Sequence, residues 1–229
     1  GPGRNAGGGL LWWCFLRSRL DNPDVFVTVT LWDVYPNMQP GDWPSCASAL
    51  LKASPSEADT NMLSVLNKVA TNRLTPDIRY LVCPAEELET LAGAHGFDLV
   101  ISHAALEHVW NISALWTMLT RLTKQNGWHS HWIDLADHGR RESNYLEMCQ
   151  WPDWAYWMTM RFVPGAINRW RAAQHIGFIQ EEGFTVLYRN DSLAEKLPVP
   201  RSWLARPFRQ MPENELRVFR THFIAAKNW

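Results

Sequence analysis

Val25-Phe26-Val27-Thr28-Val29-Thr30-Leu31-Trp32 is apolar or β-branched at every position. A strand with one wet face alternates polar and apolar side chains. A run without polar positions has to be covered on both faces, as strands are in a parallel sheet flanked by helices. Further strand-like runs stand at Ile78–Cys83, Phe97–Ser102, Trp128–Leu135, Phe184–Tyr188 and Thr221–Ala226. Between them lie segments of helical period. Met62, Val65, Leu66 and Val69 follow the potential caps Asp59 and Thr60. Glu86–Leu91 is a short helix ended by Gly93 and Gly96, and Asn111 caps Ile112, Leu115, Trp116, Leu119 and Leu122. Trp170, Ala173, Gln174, Gly177 and Phe178 make a last face, closed by Gly183. Pro36, Pro40, Pro44 and Pro55 predict a long connection, and Asp137–Pro164, without periodicity, predicts an inserted cap or loop. No crossover helix separates the last two strands. The expectation is one doubly wound α/β domain over 1–229, mostly parallel, with an antiparallel C-terminal strand pair.

Bulk properties narrow the function classes. A net charge of −1 gives no basic footprint for nucleic acid or an anionic membrane. No apolar stretch approaches the roughly 20 residues that cross a bilayer. Cys14, Cys46, Cys83 and Cys149 are scattered with no CxxC pair, which argues against a disulfide framework or structural zinc and fits a reducing cytoplasm. The oddity is 14 tryptophans, with Trp151, Trp154, Trp157 and Trp170 close together.

The chain opens GPGRNAGGG, followed at once by the apolar run Leu10–Phe15. Glycines lacking a Cβ let backbone N–H groups approach a nucleotide. Gly1 and Gly3 could supply that approach, with Ala6 opening the helix, and Asp33 ends the next strand where a carboxylate could accept from ribose hydroxyls. A flexible leader or a protease-cleavage scar would also begin Gly-Pro.

Phe97-Asp98-Leu99-Val100-Ile101-Ser102-His103-Ala104-Ala105-Leu106-Glu107-His108-Val109 closely resembles the fourth-strand motif of class I S-adenosylmethionine-dependent methyltransferases, FDLV followed by LEHV. Other stretches resemble that family in the same order. Gly1-Pro2-Gly3 is similar to the tail of its first motif, and Asp33 to its ribose-binding acid. Cys83-Pro84-Ala85-Glu86-Glu87-Leu88 is similar to the turn beside the adenine, although many relatives carry Asp where Cys83 or Pro84 stands. Arg121–Trp128 resembles the RxLKPGG turn, and Phe223–Lys227 the final strand. The resemblance implies a Rossmann-like methyltransferase sheet, S-adenosylmethionine as cofactor, and cofactor contacts from Gly1, Gly3, Asp33, Ala85, Glu86, Ser102 and His103. Ile133-Asp134-Leu135-Ala136-Asp137-His138 and Asn168-Arg169-Trp170-Arg171 resemble a subgroup with DH and NRxR elements, which implies substrate-side roles for Asp137, Asn168, Arg169 and Arg171, beside Glu107 of the LEHV element.

The family's first motif places an acidic residue two positions before its first glycine, at the end of a central strand. Nothing precedes Gly1 here. Two unpaired edges inside a sheet would cost about 1–3 kcal/mol per buried group, against a margin of about 5–15 kcal/mol. The expectation is an N-terminally truncated fragment, whose own activity does not follow from the resemblance.

Methyl transfer from a sulfonium is an in-line displacement, accelerated mainly by positioning. A general base is needed only where the acceptor is a hydroxyl or a protonated amine. His108 and His138 are the catalytic candidates, at the carboxyl edge where such sheets bind ligands. Arg169 and Arg171 could clamp an acceptor carboxylate or phosphate. His129 and His131 share one strand face and could pair on a metal with Asp137 or His138, but a buried strand explains them and no metal is expected. The leading expectation is a methyltransferase acting on a small molecule such as a saccharide or another hydroxylated metabolite. Two alternatives stay open: an NAD(P)-dependent oxidoreductase reading Gly1-x-Gly3-x-x-Ala6 as a dinucleotide fingerprint, and a non-catalytic module using the tryptophan-rich segment on glycans. Against the first, Asp33 lies 30 positions after Gly3, where about 20 is usual.

Overall fold

Asp59 begins the pattern by which local sequence sets this fold. Its carboxylate accepts from the backbone N–H groups of Asn61 and Met62, capping a helix whose Leu66 and Val69 are buried. The computed structural model describes residues 7–20, 25–33, 42–53, 59–92, 96–139, 141–163 and 165–228. The chain divides into two compact units, Gly1–Ala92 and Gly93–Trp229.

The N-terminal unit runs α1 (Gly7–Ser18), β1 (Thr28–Asp33), α2 (Trp43–Ala53), α3 (Thr60–Ala70), β2 (Asp77–Val82) and α4 (Ala85–Ala92). β1 and β2 pair in parallel, Thr28 opposite Asp77 and Asp33 opposite Val82. Leu10, Trp13, Cys14, Ala47, Leu66 and Val69 form the core against which the helices pack. α2 corrects the expectation of an unbroken proline-rich connection. Pro44 is its second residue, where a missing N–H breaks no intrahelical bond. Gly1, Gly3, Ala6, Pro36, Pro40 and Pro55 lie outside the described residues.

The C-terminal unit runs β3 (Phe97–His103), α5 (Ile112–Leu122), β4 (Thr123–Asp134), α6 (Arg141–Asn144), α7 (Asp153–Met160), α8 (Ala172–Glu181), β5 (Phe184–Leu193), α9 (Arg206–Arg209), α10 (Glu213–Arg217) and β6 (Val218–Lys227). Its sheet has the order β3-β4-β6-β5, with β3–β4 parallel and both neighbours of β6 antiparallel to it. The chain is thus α/β with mixed pairing, and the expected antiparallel C-terminal pair is present. Asn111 caps α5 as the sequence predicts. α8 presents a different face from the expected one: Ala172, His175, Ile176 and Ile179 are buried, whereas Ala173 and Gln174 are exposed. Residues 137–164 hold α6, α7 and a short turn at Glu147–Gln150, packed on a core of their own that includes Leu146, Met148, Cys149, Tyr156 and Leu204. Among the described residues, no helix is long and apolar enough to cross a membrane.

Candidate active site

β3 and β4 are parallel, so their carboxyl ends open at the same edge of the C-terminal unit's sheet. Just past β3, Ala104 takes a positive φ of 47° and donates its N–H to the Trp132 carbonyl. A left-handed alanine carries a strain of about 1 kcal/mol. It bends the chain off the sheet into the turn Leu106–His108, whose Leu106 and Glu107 are buried and whose His108 is exposed.

The end of β4 makes the facing wall. The Asp134 carboxylate accepts from the Ala136 N–H, and that of Asp137 accepts from the Gly139 N–H. These two consecutive side-chain turns fold the chain back until His138 Nε2 lies 3.7 Å from Asp134 Oδ2. The His108 and His138 rings approach to 5.2 Å between centroids. Ala104, Glu107, His108, Asp134 and His138 line a cavity of about 350 Å³. One ligand atom each from Glu107, His108 and His138 falls within 4.8 Å of the others, a set able to hold a metal ion. Burial lowers the His108 pKa, the Ala166 carbonyl hydrogen bond opposes that, and nearby His138 adds to the lowering.

The NRxR stretch lies behind this turn and fixes it. Asn168 donates its amide hydrogens to the Leu106 and Val109 carbonyls at 2.7 and 2.9 Å, clamping both sides of Glu107-His108. Arg169 donates to the Met148 and Trp151 carbonyls and pairs with Asp153. Arg171 is fully buried and donates to the carbonyls of Leu135, Leu216 and Val218. Arg171 thus holds Leu135, next to Asp134, whereas Arg169 holds residues 148–151 and lines a tryptophan-walled groove. The carboxylate of Asp137 is likewise engaged in its own turn. Asp134, which lines the cavity, was not a sequence candidate. Its only signal was a position four before His138, at the end of an alternating run.

Ser102 terminates a directed chain of hydrogen bonds. Thr123 Oγ1 donates to the Leu119 carbonyl at 2.7 Å, which leaves its oxygen to accept from His129 Nε2–H, also at 2.7 Å. His129 Nδ1 then accepts from His131 Nε2–H at 2.8 Å, and His131 Nδ1 from the Ser102 hydroxyl at 2.7 Å. Every link requires neutral imidazoles. Burial holds the His129 pKa down at about 3 and that of His131 well below its usual value. The pair considered from sequence as metal ligands is therefore a buried relay, and among the described residues the group around Glu107 is metal-competent. His103 is exposed and stacks on Trp132 at 4.6 Å.

In the N-terminal unit, Asp33 closes β1, and its carbonyl accepts from the Cys83 N–H. Cys83 is buried, and its carbonyl accepts from Trp32 Nε1. Ala85 and Glu86 open α4. A groove of about 530 Å³ in the C-terminal unit is walled by Trp110, Trp154, Trp157 and Trp170, with Trp154 70% exposed.

Residues 47–130 match the family model described as a methyltransferase domain, a span that includes the whole FDLV-to-LEHV stretch and well under half of the chain. The chain therefore carries a methyltransferase domain signature from α2 into β4. No curated protein sequence matches the chain. Among solved structures, it is similar to an S-adenosylmethionine-dependent methyltransferase from Mesorhizobium loti, at 17% identity over 96% of this chain and 100% of that one, with a TM-score of 0.44. It is also similar to the magnesium protoporphyrin IX methyltransferase of Synechocystis PCC 6803 with SAH bound, at 11% identity over 97% and 82% of the two chains, TM-score 0.43. The N-methyltransferase NodS of Bradyrhizobium japonicum WM9 in complex with S-adenosyl-L-homocysteine is similar at 11% identity over 88% and 66%, TM-score 0.41.

Proposed function

We propose that the chain is an S-adenosylmethionine-dependent methyltransferase that methylates a small, hydroxylated molecule. The observation that carries this reading is the methyltransferase-domain match over 47–130, with the FDLV and LEHV residues inside it. Asp33 is the group proposed for the ribose hydroxyls, with Gly1, Gly3, Ala85, Glu86, Ser102 and His103 as further cofactor contacts. The inward donation of the Ser102 hydroxyl to His131 supports its part, because it leaves oxygen lone pairs to accept from a ligand. The acceptor's reacting atom is assigned to the cavity of Glu107, His108, Asp134 and His138. Asn168 and Arg171 keep the cavity's backbone in place, Arg169 in the tryptophan-walled groove is assigned to the acceptor side, and the helices of 141–160 serve as a cap. Positioning of donor and acceptor supplies most of the acceleration.

Parallel calorimetric titrations of the chain with S-adenosylmethionine, S-adenosylhomocysteine and NAD test the reading. Saturable binding of the two sulfur nucleotides, weakened about tenfold in Asp33→Asn, is expected. Binding of NAD alone would replace the reading with the oxidoreductase one.

A further inference from the structure

Burial, backbone clamps and two side-chain turns bring a carboxylate and two imidazoles into one cavity, and that donor set has a chemistry of its own. We infer that Glu107, His108 and His138 bind a divalent first-row transition-metal ion, on which the acceptor's oxygen is held. Two histidines and one carboxylate are a recurrent set for zinc and for non-haem iron, because they leave coordination positions open to substrate. Ligand atoms around one zinc stand about 3.3 Å apart, given bonds of about 2.0–2.2 Å. The spread of 4.8 Å here closes to that by small rotations of the two exposed imidazoles toward the buried carboxylate.

The surroundings are those that metal ligands need. His108 Nδ1 lies 3.3 Å from the Ala166 carbonyl and donates its hydrogen there, which fixes the tautomer with Nε2 as the lone-pair nitrogen. On the opposite wall the Asp134 carboxylate lies 3.7 Å from His138 Nε2. Glu107 is only 2% exposed, so little water competes for its carboxylate. Asn168 holds the carbonyls on both sides of Glu107-His108, so two of the three ligands are preset by one amide.

The inference deepens the acceptor-side part of the proposed function and selects oxygen acceptors. A hydroxyl bound to the ion loses its proton to water. Its oxygen pair then forms the C–O bond to the methyl carbon as the C–S bond breaks and the sulfonium leaves as a neutral sulfide. In this arrangement His108 and His138 act on the acceptor through the ion.

The test uses the tag-free full chain, stripped with chelator and titrated with Co²⁺ and then Zn²⁺, without any methyl donor. One Co²⁺ per chain is expected, with visible d–d absorption that Zn²⁺ displaces. Glu107→Gln and His138→Asn should each weaken binding at least tenfold, while His222→Asn, on β6 and outside the cluster, leaves it unchanged. Circular dichroism verifies each variant's fold. Should Glu107→Gln fail to fold, the exposed His138→Asn decides alone. Absence of stoichiometric binding, or equal affinity in His138→Asn and the unaltered chain, overturns the inference. S-adenosylmethionine affinity, measured separately on the same samples, is expected to be unaffected, so loss of the metal site and loss of the methyltransferase reading are told apart.

Discussion

His129, His131 and His175 are buried in the C-terminal unit in neutral form, and mild acid should therefore loosen it. Burial is the first cause of the lowered pKa in all three, and His129 and His175 are held at about 3 against an ordinary 6.5. The unfolded chain takes up protons from about 6.5 downward, while the fold does not. Stability is thus complete above that value and is lost progressively as pH falls toward about 3. By about pH 5 each such histidine costs about 2 kcal/mol. His129 and His175 together remove about 4 kcal/mol, and His131 adds to it in the same direction. Set against a typical margin of about 5–15 kcal/mol, that loss is large. Urea denaturation followed by tryptophan fluorescence at about pH 7 and about pH 5 measures it directly. His175→Asn sharpens the measurement. Its amide oxygen can replace Nδ1 as acceptor for Trp116 Nε1–H, so the bond persists while one titrating group disappears. The variant should lose about 2 kcal/mol less than the unaltered chain over the same interval. Equal losses in both chains, or a drop below about 1 kcal/mol in the unaltered one, would refute the argument that these imidazoles fold uncharged.

Two further perturbations probe the framework behind the cavity. Arg171→Met strands three buried carbonyls and should cost at least about 3 kcal/mol in urea unfolding. Arg171→Lys should recover little, because an ammonium cannot reproduce the planar fork. Asn168→Ala removes the donors to Leu106 and Val109 and should cost about 2 kcal/mol in thermal denaturation. It should also speed hydrogen exchange at His108 and Val109, whose amides donate within that turn.

Strand runs such as Phe97–Ser102 were the most legible part of this chain, because β-branched and apolar stretches have few other ways to be satisfied. The run from Val25 was misjudged: its strand starts only at Thr28, and Val25 and Phe26 are exposed, not covered on both faces. The capped helices were legible for the same local reason, through Asp59 and Asn111. α2 was hidden because Pro44 reads as a breaker, and only its place at the second helical residue makes it harmless. The face of α8 was misread because His175 counts as polar in sequence yet sits wholly buried beside Trp116. His108 and His138 could be nominated from their motifs. Nothing in a linear string could show that Asp134 joins them, since that depends on two turns folding the chain back on itself. From sequence the arginines of the NRxR stretch read as ligand clamps, because a guanidinium donates to carboxylates; the structure shows both also donating to backbone carbonyls.

The position of β6 has a consequence for how this protein is made. It follows both β4 and β5 in the chain, yet it lies between them and supplies hydrogen-bond partners to both. Until Lys227 clears the ribosome, those two strands present open edges with nothing to zip them together. Closure of this sheet must therefore wait for β6, and the edges of β4 and β5 stay open meanwhile to the strand-swapping and chaperone capture that such edges invite.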